Sequence, residues 1–467
     1  MLKLRDYQEN AVQDIRNSYI AGKRAPLLVL PTGGGKTVVF SYIGATTAAR
    51  QKRVIVLVHR VELLRQTSAK LLEAGVSHGL VNPLFTPSYR ESVQVASVQS
   101  LVRRLQLVDA PDLIIIDEAH HATAGTWRKI IEAFPRARLL GVTATPIRSD
   151  GDGLGVESGG LFDDLIIGPQ VAELIERGYL VKPIIFAPTE RIDLRGVRTV
   201  RGDYDQQELE QRVDKPQITG HAVEHYRRFC DGAPAVAFCI SVAHAQHVAD
   251  EFRAAGYRSA AVDGSMEDGE RKRILTGLGT GEIQVVTSCD LISEGTDIPA
   301  IACAILLRPT QSLGLYLQQV GRALRPCEGK DRAIILDHVG NVLMHGLPDE
   351  PREWSLDGEE KKTRKKNEEK KVRVKQCERC FVVHEPAPVC PNCGFIYESK
   401  SRSVETVEGE LKEITPEQRA ALRKQQRSEV GRAKTLEELE RVERQRGYKP
   451  GWAKHVWGAR NKKAVGI

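Results

Sequence analysis

What this 467-residue chain lacks narrows it first. No apolar run approaches the roughly 20 residues that span a bilayer, so neither a membrane-spanning role nor a membrane partner is expected. The opening MLKLRDYQEN is charged from its third residue and does not read as a secretory leader. A cytoplasmic setting is therefore expected, in which the nine cysteines are thiols or metal ligands rather than disulfides. Aromatic residues make up only 5%, and no solenoid-type repeat is present. The rest, 41% apolar and 28% charged, is ordinary for a globular protein of about three domains.

Charge is plentiful but unevenly spread. The net charge is +7, yet residues 359–467 hold 27 Lys and Arg against 17 Asp and Glu, so the remainder is slightly acidic. A basic appendage on a near-neutral body points to a polyanion partner, nucleic acid first. A solvated, charge-rich helical tail is the plainer reading.

Along the first third, apolar β-branched runs (APLLVLP, RVIVLVH, VQVASV, DLIIID, ARLLGVTAT) alternate with segments of helical spacing. A second series (PAVAFCIS, RSAAVDG, IQVVTS, IACAILL, RAIILDHV) follows a polar stretch at about 189–232. Such alternation predicts two α/β halves, each a mostly parallel sheet clothed by helices, with a cleft between them. Residues 359–376 are a low-complexity charged linker. Its KKTRKK resembles a nuclear-localisation patch, but a solvated linker is the simpler reading.

The chemistry begins at LVLPTGGGKTVVF, where a predicted strand runs into a predicted helix. Gly33, Gly34 and Gly35, with Thr32 before them, can adopt positive φ and turn backbone N–H groups inward around a triphosphate. Lys36 then reaches the β- and γ-phosphates of ATP, and Thr37 offers its hydroxyl to Mg²⁺. The usual pattern has glycine five residues before Gly35, where this chain has Leu30. LIIIDEAHH supplies the acids. Asp117 closes a buried strand and is suited to hold Mg²⁺ through its water shell. Glu118 leaves in a different direction and can orient and deprotonate the water attacking the γ-phosphate. His120 can hydrogen-bond across the cleft and report the γ-phosphate; His121 reads as an ordinary loop histidine.

With these residues in place, the chain resembles a superfamily 2 helicase or translocase of the DEAH-box kind, in the restriction-enzyme and XPB-like branch. The resemblance covers roughly residues 2–345. LRDYQ resembles the adenine-reading motif, implying that Gln8, supported by Arg5, pairs with the base edge. VLVHRVELLRQ and ASVQSL resemble motifs that lay a nucleic-acid strand across the first half, implying His59, Arg60, Ser97 and Gln99 as contacts. TATP resembles the coupling motif, in which Thr143 and Thr145 link Asp117 and His120 to strand movement. VVTSCDLISEGTDIP implies Thr287 on the nucleic-acid backbone and Gly295 and Asp297 toward the nucleotide. QQVGRALRP implies that Gln318, Arg322 and Arg325 close on ATP from the second half.

The resemblance organises the chain as follows. Residues 1–182 form a first RecA-like domain, 183–232 a connecting helical segment, 233–350 a second RecA-like domain and 351–376 a charged linker. A zinc knuckle at 377–397 and a basic helical tail at 398–467 complete it. In the knuckle, Cys377, Cys380, Cys390 and Cys393 form two C-x₂-C turns nine residues apart, four thiolates for one tetrahedral Zn²⁺. Three roles stand open for it: nucleic-acid contact, docking of a partner protein, or capping of the second half. His384 between the pairs is not needed as a ligand, and the other five cysteines read as buried thiols. In the tail, GYKPGWAKHVWGAR interleaves aromatics with cations, which suits base stacking; a helical hairpin packing its own tryptophans is the preferred reading.

Function follows as an expectation: an ATP-dependent helicase or translocase acting on nucleic acid, DNA ahead of RNA. The alternative is a nucleic-acid-stimulated ATPase that drives a partner nuclease without separating strands itself.

Overall fold

In the computed structural model, described over residues 2–122, 125–148, 151–189, 192–200, 202–213, 216–289, 301–357, 374–397, 430, 433, 435–446 and 451–464, there are two large sheets, one wholly parallel and one parallel but for two antiparallel strands at its edge. The first is built from β1 (Pro26–Val29), β2 (Val54–Val58), β3 (Gly79–Val81), β4 (Val93–Ser97), β5 (Leu113–Asp117), β6 (Arg138–Thr143) and β7 (Asp164–Ile167). Its order is β3-β4-β2-β5-β6-β1-β7, every pairing parallel. Strands β1, β2, β4 and β5 are buried along their whole length, which is why they read as unbroken apolar runs.

The second sheet takes β8 (Lys182–Phe186), then, beyond a short ribbon of β9 (Thr199–Val200) and β10 (Asp203–Tyr204), the strands β11 (Ala235–Cys239), β12 (Ser259–Val262), β13 (Val285–Cys289), β14 (Cys303–Leu306) and β15 (Arg332–Asp337). The cysteine module adds β16 (Lys375–Gln376) and β17 (Val382–His384), giving the order β12-β13-β11-β14-β15-β8-β17-β16.

Three boundaries differ from the sequence reading. The strand at the start of the segment assigned as connecting, 183–232, is β8, sixth in the second sheet and parallel to β15. Described parts of the rest of that segment also pack on the second lobe. Asp203 accepts from the Thr310 hydroxyl at 2.8 Å and the Gln311 N–H at 2.8 Å, and Tyr226 of the helix Pro216–Cys230 is fully buried there. A polar stretch without a strong strand pattern conceals this, because the apolar residues that pack there, such as Leu209, Val213 and Tyr226, are interspersed among charges.

The start of the charged linker is also structured. Residues 352–356 run back over the first lobe, where the Gln170 amide exchanges two hydrogen bonds with the Arg352 backbone (2.7 and 3.0 Å). The Leu356 carbonyl accepts from the N–H groups of Leu154 and Gly155, both at 2.9 Å. Thirdly, the cysteine module is not an isolated bead: β17 pairs antiparallel with β8 and covers that edge.

The C-terminal unit, residues 399–467, is separate. Within it the helices Leu436–Arg446 and Trp452–Ala464 pack as a hairpin on Leu439 and Ala453, with Trp452 and Trp457 partly buried against them. The tryptophans thus pack within their own hairpin. Among the described residues, no helix is long and apolar enough to cross a membrane.

One core position is tuned tightly enough to test. Gly141 in β6 pairs with Leu27, and a β-carbon there would lie 2.4 Å from the Phe162 ring and 2.7 Å from Leu27 Cδ1. Gly141→Ala is therefore expected to cost about 1–3 kcal/mol through overpacking, read from urea unfolding. A variant as stable as the parent would mean that the Phe162 ring gives way without cost.

Candidate nucleotide cleft and its neighbours

The phosphate loop leaves the carboxyl end of β1 and enters the helix Lys36–Ala48. Gly33 and Gly35 have φ of 87° and 79°, a left-handed conformation that glycine alone adopts without strain. Gly34, expected to share it, does not; its N–H closes a turn on the Pro31 carbonyl at 2.9 Å. Behind the loop stands the first helix, Asp6–Ile20. The Tyr7 hydroxyl donates to the Gly34 carbonyl at 3.0 Å, and Gln8 lies so close that a β-carbon at Gly35 would sit 2.4 Å from its Nε2. Arg5 lies over the Tyr179 ring, 4.4 Å from its centroid, and donates to the Tyr7 hydroxyl at 3.1 Å. Gln8 and Arg5 are thus gathered at the loop, with Gln8 buried.

Asp117 ends β5, with β6 between it and β1. It is buried, and burial, then the adjacent Glu118 charge, pushes its carboxyl up to about 7; the Lys36 ammonium and the Glu118 N–H pull the other way. A carboxylate so placed needs a cation beside it to stay charged, and in the hydroxyl of Thr37 and the acid of Asp117 the chain carries a donor set that fits Mg²⁺. Lys36 lies with Nζ 3.5 Å from the Leu30 carbonyl, at the position where the usual pattern has glycine.

Glu118 is one of only three non-glycine residues with positive φ among those described, at 47°. Backbone strain of this kind persists only where the surroundings impose it. Here the turn sends the two acids apart: Asp117 Oδ1 accepts the Glu118 N–H at 3.0 Å, while Glu118 Oε2 lies 3.6 Å from His120 Nδ1. The same His120 nitrogen is 2.9 Å from the Thr143 hydroxyl, which in turn donates to the Thr145 carbonyl at 2.9 Å. Acid, histidine and the two threonines therefore form one continuous line.

That line ends on the other lobe. The helix Leu313–Ala323 carries glycine at 314 and 321, two turns apart on one face, with Gln318 between them. A β-carbon at Gly314 would be 2.9 Å from Thr145 Oγ1, and one at Gly321 only 2.6 Å from Thr32 Cβ. Past the helix end, Arg325 Cγ lies 3.7 Å from where a β-carbon on Gly33 would stand. Gln318 and Arg322 are buried on this helix. The phosphate loop, the coupling threonines and the distal arginines thus converge on one seam. Gly314 and Gly321 were missed by sequence reasoning, although their seven-residue spacing just ahead of the arginines was a usable signal.

Two expected nucleic-acid contacts are placed otherwise. Ser97 is buried at the end of β4, its hydroxyl accepting from Asn82 at 3.1 Å and donating to Ser100 at 2.7 Å. Thr287 is fully buried in β13 and donates to the Ala245 carbonyl at 2.7 Å. Both hydroxyls satisfy internal acceptors, the usual fate of a polar group at a buried strand end. Gln99 is exposed, and His59 and Arg60 are half-exposed at the carboxyl end of β2. His121, read as an ordinary loop histidine, lies between rings, 4.7 Å from His59 and 4.1 Å from His120. Gly295 and Asp297 lie outside the described residues. A second seam joins the helix Val61–Glu73 to the helix Asp268–Thr280 through Arg65–Asp268 at 2.5 Å and Arg271–Glu62 at 3.2 Å.

In the cysteine module the four sulfurs all lie within 4.8 Å of one another. Cys377 and Cys393 are 3.6 Å apart, Cys380 and Cys390 3.7 Å. Tetrahedral zinc with sulfur at about 2.3 Å sets its ligands about 3.8 Å apart, so the donor set fits that ion. His384 is committed elsewhere, to the Tyr397 hydroxyl at 2.8 Å and the Glu385 carbonyl at 2.6 Å.

Two doubly wound lobes with a phosphate loop and paired acids on one and arginines on the other define an ATP-hydrolysing enzyme that works by closing a cleft. Comparison with known proteins names the kind. Residues 1–148 match the family "Type III restriction enzyme, res subunit" and residues 222–327 match "Helicase conserved C-terminal domain". A 51.5 kDa protein of Lactococcus phage (isolate 7-9) is 35% identical, over 83% of this chain and 82% of its own. A Saccharomyces cerevisiae protein named for ATP-dependent helicase activity, IRC3, is 31% identical over 72% of this chain and 51% of its own. A fragment structure named as an HsdR subunit of a type I restriction enzyme from Vibrio vulnificus YJ016 shares the fold, with TM-score 0.58 and 23% identity over 74% of this chain and 66% of that one. The chain belongs to superfamily 2 of the helicases and translocases, in its restriction-enzyme and XPB-like branch. It spans most of the phage relative but only about half of the yeast one.

The seam generates a test. A valine at Gly321 would collide with Thr32 and hold the lobes apart. Gly321→Val is expected to lower ATP turnover by about a thousandfold or more, the worth of a distal arginine, while a fluorescent ATP analogue still binds the first lobe. Unchanged turnover would show that this helix does not seat on the phosphate loop during hydrolysis.

Proposed function

We propose that the chain is a DNA-tracking motor that couples each ATP hydrolysed to one closing and opening of its two lobes. The observation that carries this is the seat of Gly321 on Thr32 with Arg325 beside Gly33, because it makes hydrolysis and lobe contact the same event. In this reading Gly33, Gly35 and Lys36 hold the phosphates, and Glu118, turned away from Asp117, orients and deprotonates the attacking water. Bound Mg²⁺, held by Thr37 and Asp117, would offset charge on the phosphates. Arg322 and Arg325 then meet the transferring phosphoryl group only in the closed form. His120, Thr143 and Thr145 transmit that state to the helix bearing Gly314. His59, Arg60 and Gln99 are the first-lobe side chains exposed to meet a strand. DNA is favoured over RNA by a relative from Sulfurisphaera tokodaii named as a DNA 3'-5' translocase.

ATP turnover measured with single-stranded, duplex and forked DNA and with RNA tests this directly. DNA is expected to raise turnover well above the basal rate, and Glu118→Gln to abolish turnover while keeping ATP and DNA binding. Turnover indifferent to every nucleic acid would defeat the motor reading; hydrolysis surviving in Glu118→Gln would remove the acid from its assigned role.

The cysteine cluster we assign to one structural zinc ion, which ties β16 and β17 to the edge of the second lobe. A stretch of about 20 residues has little core of its own, so metal binding would supply most of its folding energy. Metal analysis of purified protein is expected to give about one zinc per chain, and Cys390→Ser to lose it. Undiminished zinc in that variant would refute the ligand set.

A further inference from the structure

The two turns of the cysteine module are built alike in backbone and differ in the residue that follows the second cysteine. In each, the residue after the second cysteine turns back and donates its N–H to the first: Phe381 to the Cys377 carbonyl at 2.8 Å, Gly394 to the Cys390 carbonyl at 3.0 Å. Both positions require the left-handed backbone, φ 61° and 70°. Glycine meets that requirement freely; a phenylalanine there is a genuine outlier. The first turn therefore bears backbone strain that its twin avoids, and strain of this kind is retained where a side chain is needed.

The ring does not vanish into the core. Phe381 is 40% exposed, and it borders a cavity of about 400 Å³ at the seam between the module and the second lobe. Four further rings line this cavity: Phe186 and Phe229, stacked at 3.9 Å, and His225 and His338, stacked at 5.1 Å. Arg228 lies between two of the rings, its guanidinium 5.1 Å from the Phe229 centroid and 5.4 Å from that of Phe381. It is the one exposed charged side chain of the lining. Phe186 and Asp337 end β8 and β15, so the cavity opens at the carboxyl ends of the strands, where open α/β sheets bind their ligands.

Flat faces beside a fixed cation match a base joined to a phosphate better than an aliphatic or acidic side chain. The flanking linker and tail are basic as well. We propose that this cavity takes one unpaired nucleobase of the strand the motor follows, stacked on Phe381 with Arg228 beside its phosphate. This rests on the nucleic-acid reading above and gives the cysteine module a grip on the strand in addition to its hold on the sheet edge.

The probe is a forked DNA with 2-aminopurine at successive positions of one single-stranded arm, bound to the full chain. Fluorescence is expected to change at one or two adjacent positions. Phe381→Gly, which removes the ring and relieves the backbone, is expected to keep its zinc, abolish that change and weaken binding about five- to a hundredfold. Phe381→Tyr keeps a ring and is expected to preserve both. An unaltered signal and affinity in Phe381→Gly, with DNA still stimulating turnover, would overturn the base pocket alone and leave the cavity to a protein side chain. Loss of the signal in Phe381→Tyr with zinc intact would overturn it too. Failure of the parent chain either to bind DNA or to respond to it would remove the motor reading, and the pocket with it.

Discussion

The approach of one helix to one loop governs this molecule. Lobe one carries the phosphate loop and both acids; lobe two carries the arginines, and the two sets meet only because Gly314 and Gly321 let a helix backbone come within touching distance of Thr145 and Thr32. A side chain at either place would act as a spacer. Contact of this kind, backbone against side chain across a glycine, has little reach: it is made fully or not at all. The cleft is therefore suited to two states, open and shut, rather than to a graded range.

Whether such a cleft can cycle depends on what else binds the lobes together. Of the ion pairs on the second seam, Arg65–Asp268 has side chains 41% and 50% exposed, and pairs in that setting contribute about 0–1 kcal/mol. Arg271–Glu62 is more enclosed, yet it too is a single pair. The strap at 352–356 makes four hydrogen bonds to the first lobe, two with the Gln170 side chain and two with backbone N–H groups, and hangs from the second through Arg352, which donates to the His345 and Leu347 carbonyls at 3.0 Å. Apolar packing joins the lobes as well: one buried cluster runs from Leu28 and Leu30 of the first to Tyr316, Val320 and Leu324 of the second, and Leu356 of the strap packs beside the first lobe's core. Opening the cleft therefore has to break apolar contact beside the seam, and nucleotide binding shifts that balance by its differential affinity for the two states.

What was legible in the sequence follows from how local each signal is. The phosphate loop, the paired acids and the cysteine turns are short segments whose residues act close to where they stand, so their chemistry reads directly. Ser97 and Thr287 show the opposite case. A hydroxyl at a strand end can face a ligand or turn inward, and the choice depends on Asn82 and Ala245, which no local pattern announces. His121, read as an ordinary loop histidine, has a ring neighbour, His59, that arrives from the end of another strand and that no local pattern announces. The strand Lys182–Phe186 reads as a strand but not as a member of the second sheet, because sheet membership is a property of partners rather than of propensity.

The strained acid closes the argument. A positive φ at Glu118 takes that acid off the strand: a regular continuation of β5 would put its side chain on the opposite face of the sheet from Asp117, whereas the turn lays it beside His120 at the strand's carboxyl end. With Asp117 turned to the phosphate side, Glu118 is free to lie near His120, whose ring reaches Thr143 on the neighbouring strand. In the proposed cycle, a shift of the Glu118 carboxylate as it takes a proton from water would alter its contact with that ring. The change is felt two hydrogen bonds later, at the residue on which Gly314 sits. The chemical event and the lobe contact are joined by side chains that are nearly all buried, where electrostatic changes are least screened. In the proposed cycle, the strained backbone at Glu118 is what lets that acid act on water while Asp117 serves the phosphates, and the seam is where the consequence is delivered.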